Sequence, residues 1–245
     1  MTSPLISVIT PIYNCSSYLK ESFESVFNQT FKDFEFIVIN DGSTDDTSEV
    51  AQKLLEGFSG DFKFIDHHTN KRIPTRRNEA VEVSRGKYIA IHDGDDVSFP
   101  HRFEKEAEIL EKEGIFCVGG RAIKINENSE EIGIMDYPSE TNIQIIRDFA
   151  YRCMNPIIDP TTMFRKDIFN KYGGYTLEKM IYTVPDMDLW LKAILDGHKF
   201  YNIQESIIKY RVNSKGMTRE HKQEMINAHM IVWRRFIIEW RKKNA

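Results

Sequence analysis

Cysteine is scarce in this chain: three residues in 245, Cys15, Cys117 and Cys153. They are odd in number and scattered, with no Cys-x-x-Cys. That excludes a disulfide framework or a thiolate zinc site and reads as reduced, mostly core-filling thiols. Long apolar runs are missing, and no stretch reaches the ~18 residues that a membrane-spanning helix needs. Met1-Thr2-Ser3-Pro4-Leu5 lacks the charged-then-apolar order of a secretion signal. Excess charge is missing too. The net charge of −4 offers no electrostatic footprint for nucleic acid. Repeats and low-complexity segments are absent. These absences describe a cytoplasmic chain that at most touches the inner face of a membrane without crossing it.

What remains is ordinary globular composition, 41% hydrophobic and 29% charged, with length enough for a sizeable core. Residues 5–10 are rich in β-branched side chains and stopped by Pro11, as a buried strand would be. Ser17 is placed to cap a helix in which Tyr18, Leu19, Phe23, Val26 and Phe27 recur at helical spacing. Residues 34–39 read as a second strand ending in the turn Asn40-Asp41-Gly42-Ser43. Val50, Ala51, Leu54 and Leu55 line one face of the next helix. Residues 62–65 are a third strand. Pro74 suits the first turn of a helix closed at Gly86, and residues 88–91 are a fourth strand. Helices alternating with near-continuous apolar strands predict an α/β fold with a mainly parallel central sheet flanked by helices. Farther on, residues 116–120 and 161–164 read as strands and 142–151 as a helix. Asp186 opens a helix closed by Gly197, and residues 207–211 form the last strand.

In such sheets ligands gather beyond the carboxyl ends of the strands. Residues 11–14, 41–43 and 93–96 all fall there. The stretch His92-Asp93-Gly94-Asp95-Asp96 is the most informative. Asp-x-Asp at a strand end sets two carboxylates side by side, which is unfavourable unless something positive sits between them. A hard divalent cation suits carboxylate oxygen and keeps coordination sites free for phosphate. The plainer alternative is a helix N-cap, since a helix starts near Pro100.

Residues 218–245 read as a separate amphipathic helical unit, with Met225, Val232, Phe236 and Trp240 at three-to-four-residue spacing. Its local charge is +4, leaving about −8 on the remainder. A basic helix bearing Trp and Phe can lie on an anionic membrane. Otherwise its apolar face packs on this chain or on a second copy as a homodimer. The chain divides as 1–215, with halves of about 1–100 and 101–215, and an extension, 216–245.

Five segments in order resemble the inverting GT-A glycosyltransferases of family 2. Val8-Ile9-Thr10-Pro11-Ile12-Tyr13-Asn14 is similar to that family's opening strand and loop. Val38-Ile39-Asn40-Asp41-Gly42-Ser43-Thr44-Asp45 is similar to its second strand and acidic turn. Arg77-Asn78-Glu79-Ala80 with Gly86-Lys87-Tyr88-Ile89 resembles its arginine helix, and Asp93-Gly94-Asp95-Asp96 its Asp-x-Asp motif. Gly173-Gly174-Tyr175 with Asp186-Met187-Asp188-Leu189-Trp190 resembles its acceptor-side segment. The resemblance covers residues 5 to about 215. It implies a GT-A fold and transfer of a sugar, with inversion, from a nucleotide-sugar donor to a hydroxyl of a glycan or lipid-linked acceptor, as in surface polysaccharide synthesis.

By position, the resemblance implies that Tyr13 stacks on the base, with Pro11 in the pocket wall and Asp41 accepting a hydrogen bond from the base. That pair resembles a uracil reader, so a UDP-sugar is expected. Asp93 faces the ribose or shares the metal, Gly94 lies in the same pocket, and Asp95 ligates Mn²⁺ or Mg²⁺. Arg77 adds charge near the nucleotide. Asp186 is the general base, with Asp188 its rival. Asp96, and Arg211 and Asn213 of the closing segment, complete the candidate set.

The sequence departs from the family pattern in four places. Pro185 stands where Glu often precedes the base. Arg72 replaces the Gly of an Asn-x-Gly opening, which alters the loop and adds positive charge. Asn213 stands where His is common, so either Asn213 does less there or His221 substitutes. Asp159 stands where His is frequent on the acceptor side. Two other readings compete. A nucleotidyltransferase would also use metal and nucleotide, but the first loop lacks the Gly-rich pattern of that class. A non-catalytic binding module of the same fold would not need Asp93, Asp95 and Asp186 together.

Overall fold

The computed structural model describes residues 3–112, 114–213 and 221–244. Strands β1 (Ile6–Ile12), β2 (Phe34–Asp41), β3 (Asp61–His67) and β4 (Tyr88–Ile91) are joined by helices α1 (Ser16–Phe27), α2 (Thr47–Glu56) and α3 (Ile73–Val83). All three strand pairings among them are parallel. Phe34, Phe36 and Val38 of β2 share a core layer with Phe23 and Val26 of α1. Ile37 and Ile39 belong to the opposite layer with Ala80 and Val81 of α3. Side chains alternate along a strand, so one covered on both faces is apolar at most positions; buried Ser7 of β1 and Glu35 of β2 satisfy each other at 2.6 Å.

The second half follows as β5 (Val97–Ser98), α4 (Arg102–Leu110), β6 (Ile115–Ile125), β7 (Glu131–Met135), α5 (Asn142–Arg152), β8 (Met163–Arg165), α6 (Lys166–Lys171), α7 (Pro185–Leu195), β9 (Lys199–Arg211) and α8 (Lys222–Asn244). The sheet runs β3-β2-β1-β4-β8-β6-β9-β5, with β7 paired to β6. The long β6–β9 pairing is parallel, while β8 is antiparallel to both β4 and β6. The fold is thus α/β with a mixed, mostly parallel sheet. Between β1 and β4 the strand order reverses, which opens a crevice at their carboxyl ends.

Several local expectations need correction. Helix α1 begins one residue before Ser17, with Cys15 in the cap position and no side-chain cap. The Cys15 amide instead donates to Thr47 Oγ1 at 2.9 Å. Helix α3 ends at Val83 with Ser84 extended, so Gly86 is not its cap. Gly86 is required by crowding, because a Cβ there would lie 2.5 Å from the Ser7 amide nitrogen. The strand expected at 161–164 is a 3₁₀ turn (Asp159–Thr161) followed by β8. Gly197 does close α7, at φ 82°, a conformation that favours glycine.

The C-terminal helix packs on its own chain. Ala228, Val232 and Phe236 are buried with residues of α5 and α7. Trp233 Nε1 donates to the Phe149 carbonyl at 2.8 Å, and Arg235 forms a bidentate pair with Glu178 at 2.7 and 2.8 Å. Among the described residues no helix is long and apolar enough to cross a membrane.

Candidate active site

The crevice is walled by three loops that fasten to one another. Asn14 sits at φ 47° after β1. Its side-chain oxygen accepts the Thr44 amide at 2.8 Å, and its own amide donates to Ser43 Oγ at 3.0 Å. Pro11 and Ile12 lie in register with Ile39 and Asn40, so the chain after β1 and the turn after β2 share the rim. Tyr13 projects from it, 47% exposed.

Asp41 is buried and saturated with donors. One oxygen accepts the Lys71 amide at 2.8 Å and Arg76 Nε at 2.6 Å. The other accepts the Arg72 amide at 2.8 Å. Gly42, at φ 72°, lies so close to Thr69 that a Cβ would meet its backbone nitrogen at 2.7 Å. Asp41 therefore shapes the 69–72 loop. Arg76, which is also tied to Glu79 at 2.9 Å and the Thr69 carbonyl at 2.7 Å, is its partner. Lys71 and Arg72 are exposed on this loop, with Arg72 held 4.2 Å over the Tyr182 ring.

The acid loop leaves β4 through His92, which is fully buried between Ser22 Oγ at 2.8 Å and Ser98 Oγ at 3.1 Å. Burial, with Arg102 nearby, pushes its pKa down to about 3. It is a neutral anchor beneath the loop. Gly94 presses on β1, where a Cβ would meet Ile12 Cγ2 at 2.7 Å. Asp96 turns inward. One oxygen accepts the Arg211 amide at 2.8 Å, the other is buried without a partner among the described residues, and burial raises its pKa well above the ordinary range. Arg211 grips the loop from beneath, donating to the Asp95 carbonyl at 2.8 Å and pairing with Glu21 at 2.7 Å. Asn213 lies just past the end of β9.

Asp95 and Asp93 are the two acids left facing the crevice. Burial, then the Asp93 carboxylate, pushes Asp95 up to about 6. Among the described residues its carboxylate makes no ion pair or hydrogen bond to a side chain. Uncompensated negative charge of this kind fits a divalent cation. Among the described residues no three His, Cys, Asp or Glu side chains form a complete cation cage. Two carboxylates would thus leave coordination positions for a ligand's own oxygens.

The opposite wall holds the feature that sequence reasoning missed. Arg77 is buried and donates to Asp93 Oδ1 at 2.9 Å on one side and to Asp159 on the other. Burial alone would favour the neutral guanidine, but Asp159 and Asp93 outweigh it and hold Arg77 charged. Asp159 arrives because β4 and β8 pair, with Ala90 opposite Met163 and the Ile91 amide donating to the Thr162 carbonyl at 2.9 Å. Its departure from the common His was the available signal. Burial raises Asp159 to about 7; Arg77 opposes the shift, while Asp186 and Asp93 add to it.

Asp186 stands in the first turn of α7 and accepts Asn155 Nδ2 at 3.1 Å. Burial raises its pKa against the pull of Arg77 and two backbone amides. Its charge is felt by Asp159 and by Tyr137, which burial and then Asp186 push up to about 12. Asp186 is therefore drawn into one electrostatic cluster with Arg77, Asp159 and Asp93. Asp188 is not; it pairs with Lys192 at 2.6 Å along the helix. Trp190 is fully buried core. His67 pairs with Glu79 at 2.8 Å, and His221 with Glu224 at 3.1 Å.

The description Glycosyl transferase family 2 matches residues 7–173, a range that holds the acid loop, Arg77 and Asp159 and stops short of Asp186. WbnJ of Escherichia coli, an O-antigen biosynthesis glycosyltransferase, is 32% identical over 215 residues, covering 86% of this chain and 81% of WbnJ. In fold the chain is similar to S. aureus TarS 1–349 in complex with UDP, with a TM-score of 0.68 at 20% identity over 93% of this chain and 64% of that one. It is also similar to the mannosyltransferase PcManGT from Pyrobaculum calidifontis in complex with GDP-Man and Mn²⁺, with a TM-score of 0.72 at 13% identity over 95% and 65%. The chain thus spans just under two thirds of each of these solved chains. The chain belongs to glycosyltransferase family 2.

Proposed function

We propose that this chain transfers a sugar from a UDP-sugar to an acceptor hydroxyl with inversion, using Mn²⁺ or Mg²⁺. The acceptor is a glycan or a lipid-linked glycan in surface polysaccharide or glycoconjugate synthesis, met at the inner face of the membrane. One observation carries the reading: Arg77 joins the acid of the donor loop, Asp93, to an acceptor-side acid, Asp159, in the cluster that includes Asp186. The O-antigen name of WbnJ supports the acceptor class, and the UDP and Mn²⁺ of the solved relatives support the donor and the metal.

Tyr13 offers an exposed ring to the base at the rim. Asp41 acts by holding the 69–72 loop, which presents Lys71 and Arg72 as cations for the donor phosphates. Asp95 and Asp93 would hold the divalent cation, which supplies positive charge against the leaving diphosphate. Arg77 lends little free charge because its two carboxylates neutralise it; it sets the position of Asp93 instead. Asp186 accepts the proton of the attacking hydroxyl, and its burial-raised basicity suits that role.

The test is a product assay with UDP-sugars and Mn²⁺. Released UDP that disappears in Asp95→Asn is the expected result. Released pyrophosphate would indicate nucleotidyl transfer, and no turnover alongside intact nucleotide binding would indicate a binding module.

A further inference from the structure

We infer that an apolar groove beside Asp186 binds the hydrocarbon chain of a phosphate-bearing lipid acceptor; the inference rests on the proposed glycosyl transfer and names its acceptor class. The groove holds about 390 Å³, within the range of small-molecule sites. It lies between the end of α5, the start of α7 and the first turns of α8. Cys153 and Val184 form its inner wall. Val184 precedes Asp186 by two residues, and Cys153 precedes Asn155, the Asp186 partner, by two. The groove therefore abuts the backbone that carries the proposed base.

Its other wall is Met225, Ile226 and Met230 of α8. Flexible thioethers adapt to chains of irregular shape. The polar group inside, His229, already engages the Cys153 carbonyl at 2.9 Å, and burial lowers its pKa, so it stays neutral. A bare sugar has no use for such a lining. Ile226 and Met230 are 48% and 37% exposed, so the outer wall opens to solvent. One cation accompanies them: Lys222 lines the groove, and among the described residues it makes no ion pair. An apolar trough with an uncommitted lysine at its rim complements a hydrocarbon tail with an anionic head.

The test uses full-length protein carrying ¹³C-methyl methionine, titrated with dodecyl phosphate below its micelle concentration. The Met225 and Met230 methyl signals are expected to move and saturate, while inorganic phosphate leaves them in place. Lengthening the chain from octyl to dodecyl strengthens binding about fourfold per methylene. Ile226→Glu and Met230→Glu, both at exposed positions, weaken it at least about tenfold, equivalent to ~1.4 kcal/mol. Unmoved Met225 and Met230 signals, affinity independent of chain length, or wild-type affinity in both variants would each overturn the inference. UDP with Mn²⁺ raising the melting temperature is measured in parallel. If that shift is present and dodecyl phosphate does not bind, the groove reading fails alone; if the UDP shift is missing, the donor reading has failed.

Discussion

Replacing Arg77 by methionine tests the cluster that holds the site together. The guanidinium is 4% exposed and balances Asp93 and Asp159, whose side chains are 26% and 16% exposed. Removing one partner of a buried ion pair costs ~3–5 kcal/mol because the other charge is left uncompensated. Asp93 can rehydrate in part, which favours the lower figure, ~3 kcal/mol. For a chain of this size each 1 kcal/mol moves the melting temperature by ~2–4 °C, so a loss of roughly 6–12 °C is expected at pH 8. The loss should shrink at pH 6. Asp159 already titrates near 7, and without Arg77 it holds its proton more tightly, so acid removes the orphaned charge. Arg77→Met with Asp159→Asn should recover part of the loss, since the charge and its partner leave together. Thermal melting of the parent, the single and the double variant at both pH values reads all of this. A single-variant loss below about 2 °C at pH 8, or one equal at both pH values, would refute the assignment of Arg77 as the charge that holds two acids.

Three further outcomes are expected. Asp186→Asn should leave the UDP-induced melting shift intact and lower UDP release roughly 10²–10⁴-fold; parent-rate release would remove Asp186 as the base. Without metal, the buried acids add stability as pH falls from 8 to 6, while the neutral His92, His198 and His229, whose pKa values burial lowers, lose it over the same window. Asp95, Glu106 and Asp159 have folded-state values of about 6, 7 and 7, above their ordinary values, so over this window the folded state takes up protons that the unfolded chain has released. Mn²⁺ should therefore stabilise more at pH 8 than at pH 6, because it competes with the Asp95 proton; a pH-independent Mn²⁺ shift would contradict that. Phe236→Ala should lower the melting temperature by roughly 6–20 °C, because it opens a cavity where α8 meets α5 and α7. An unchanged melting curve would detach the helix from the core.

Local chemistry made much of the fold legible. The strands β1, β2 and β4 announced themselves because burial on both faces leaves mostly apolar residues. The acid loop was legible because a row of Asp after a strand has few explanations. Roles that depend on distant partners were not. Arg76 and Arg77 are indistinguishable in the chain, yet the helical turn aims one at Asp41 and the other at Asp93 and Asp159. The final strand was expected to be short, whereas β9 runs Lys199–Arg211, because its length is set by pairing with β6.

The chain alone determined the alternation of strands and helices, the acids at the end of β4 and the amphipathic character of the tail, since each follows from residue type and spacing over a few turns. Tertiary structure decided which carboxylates share a guanidinium and where the tail lies. Asp159 reaches Arg77 across 82 residues because β8 pairs with β4. The apolar face of α8 is buried against α5 and α7, a pairing that residue type and spacing within the tail do not specify.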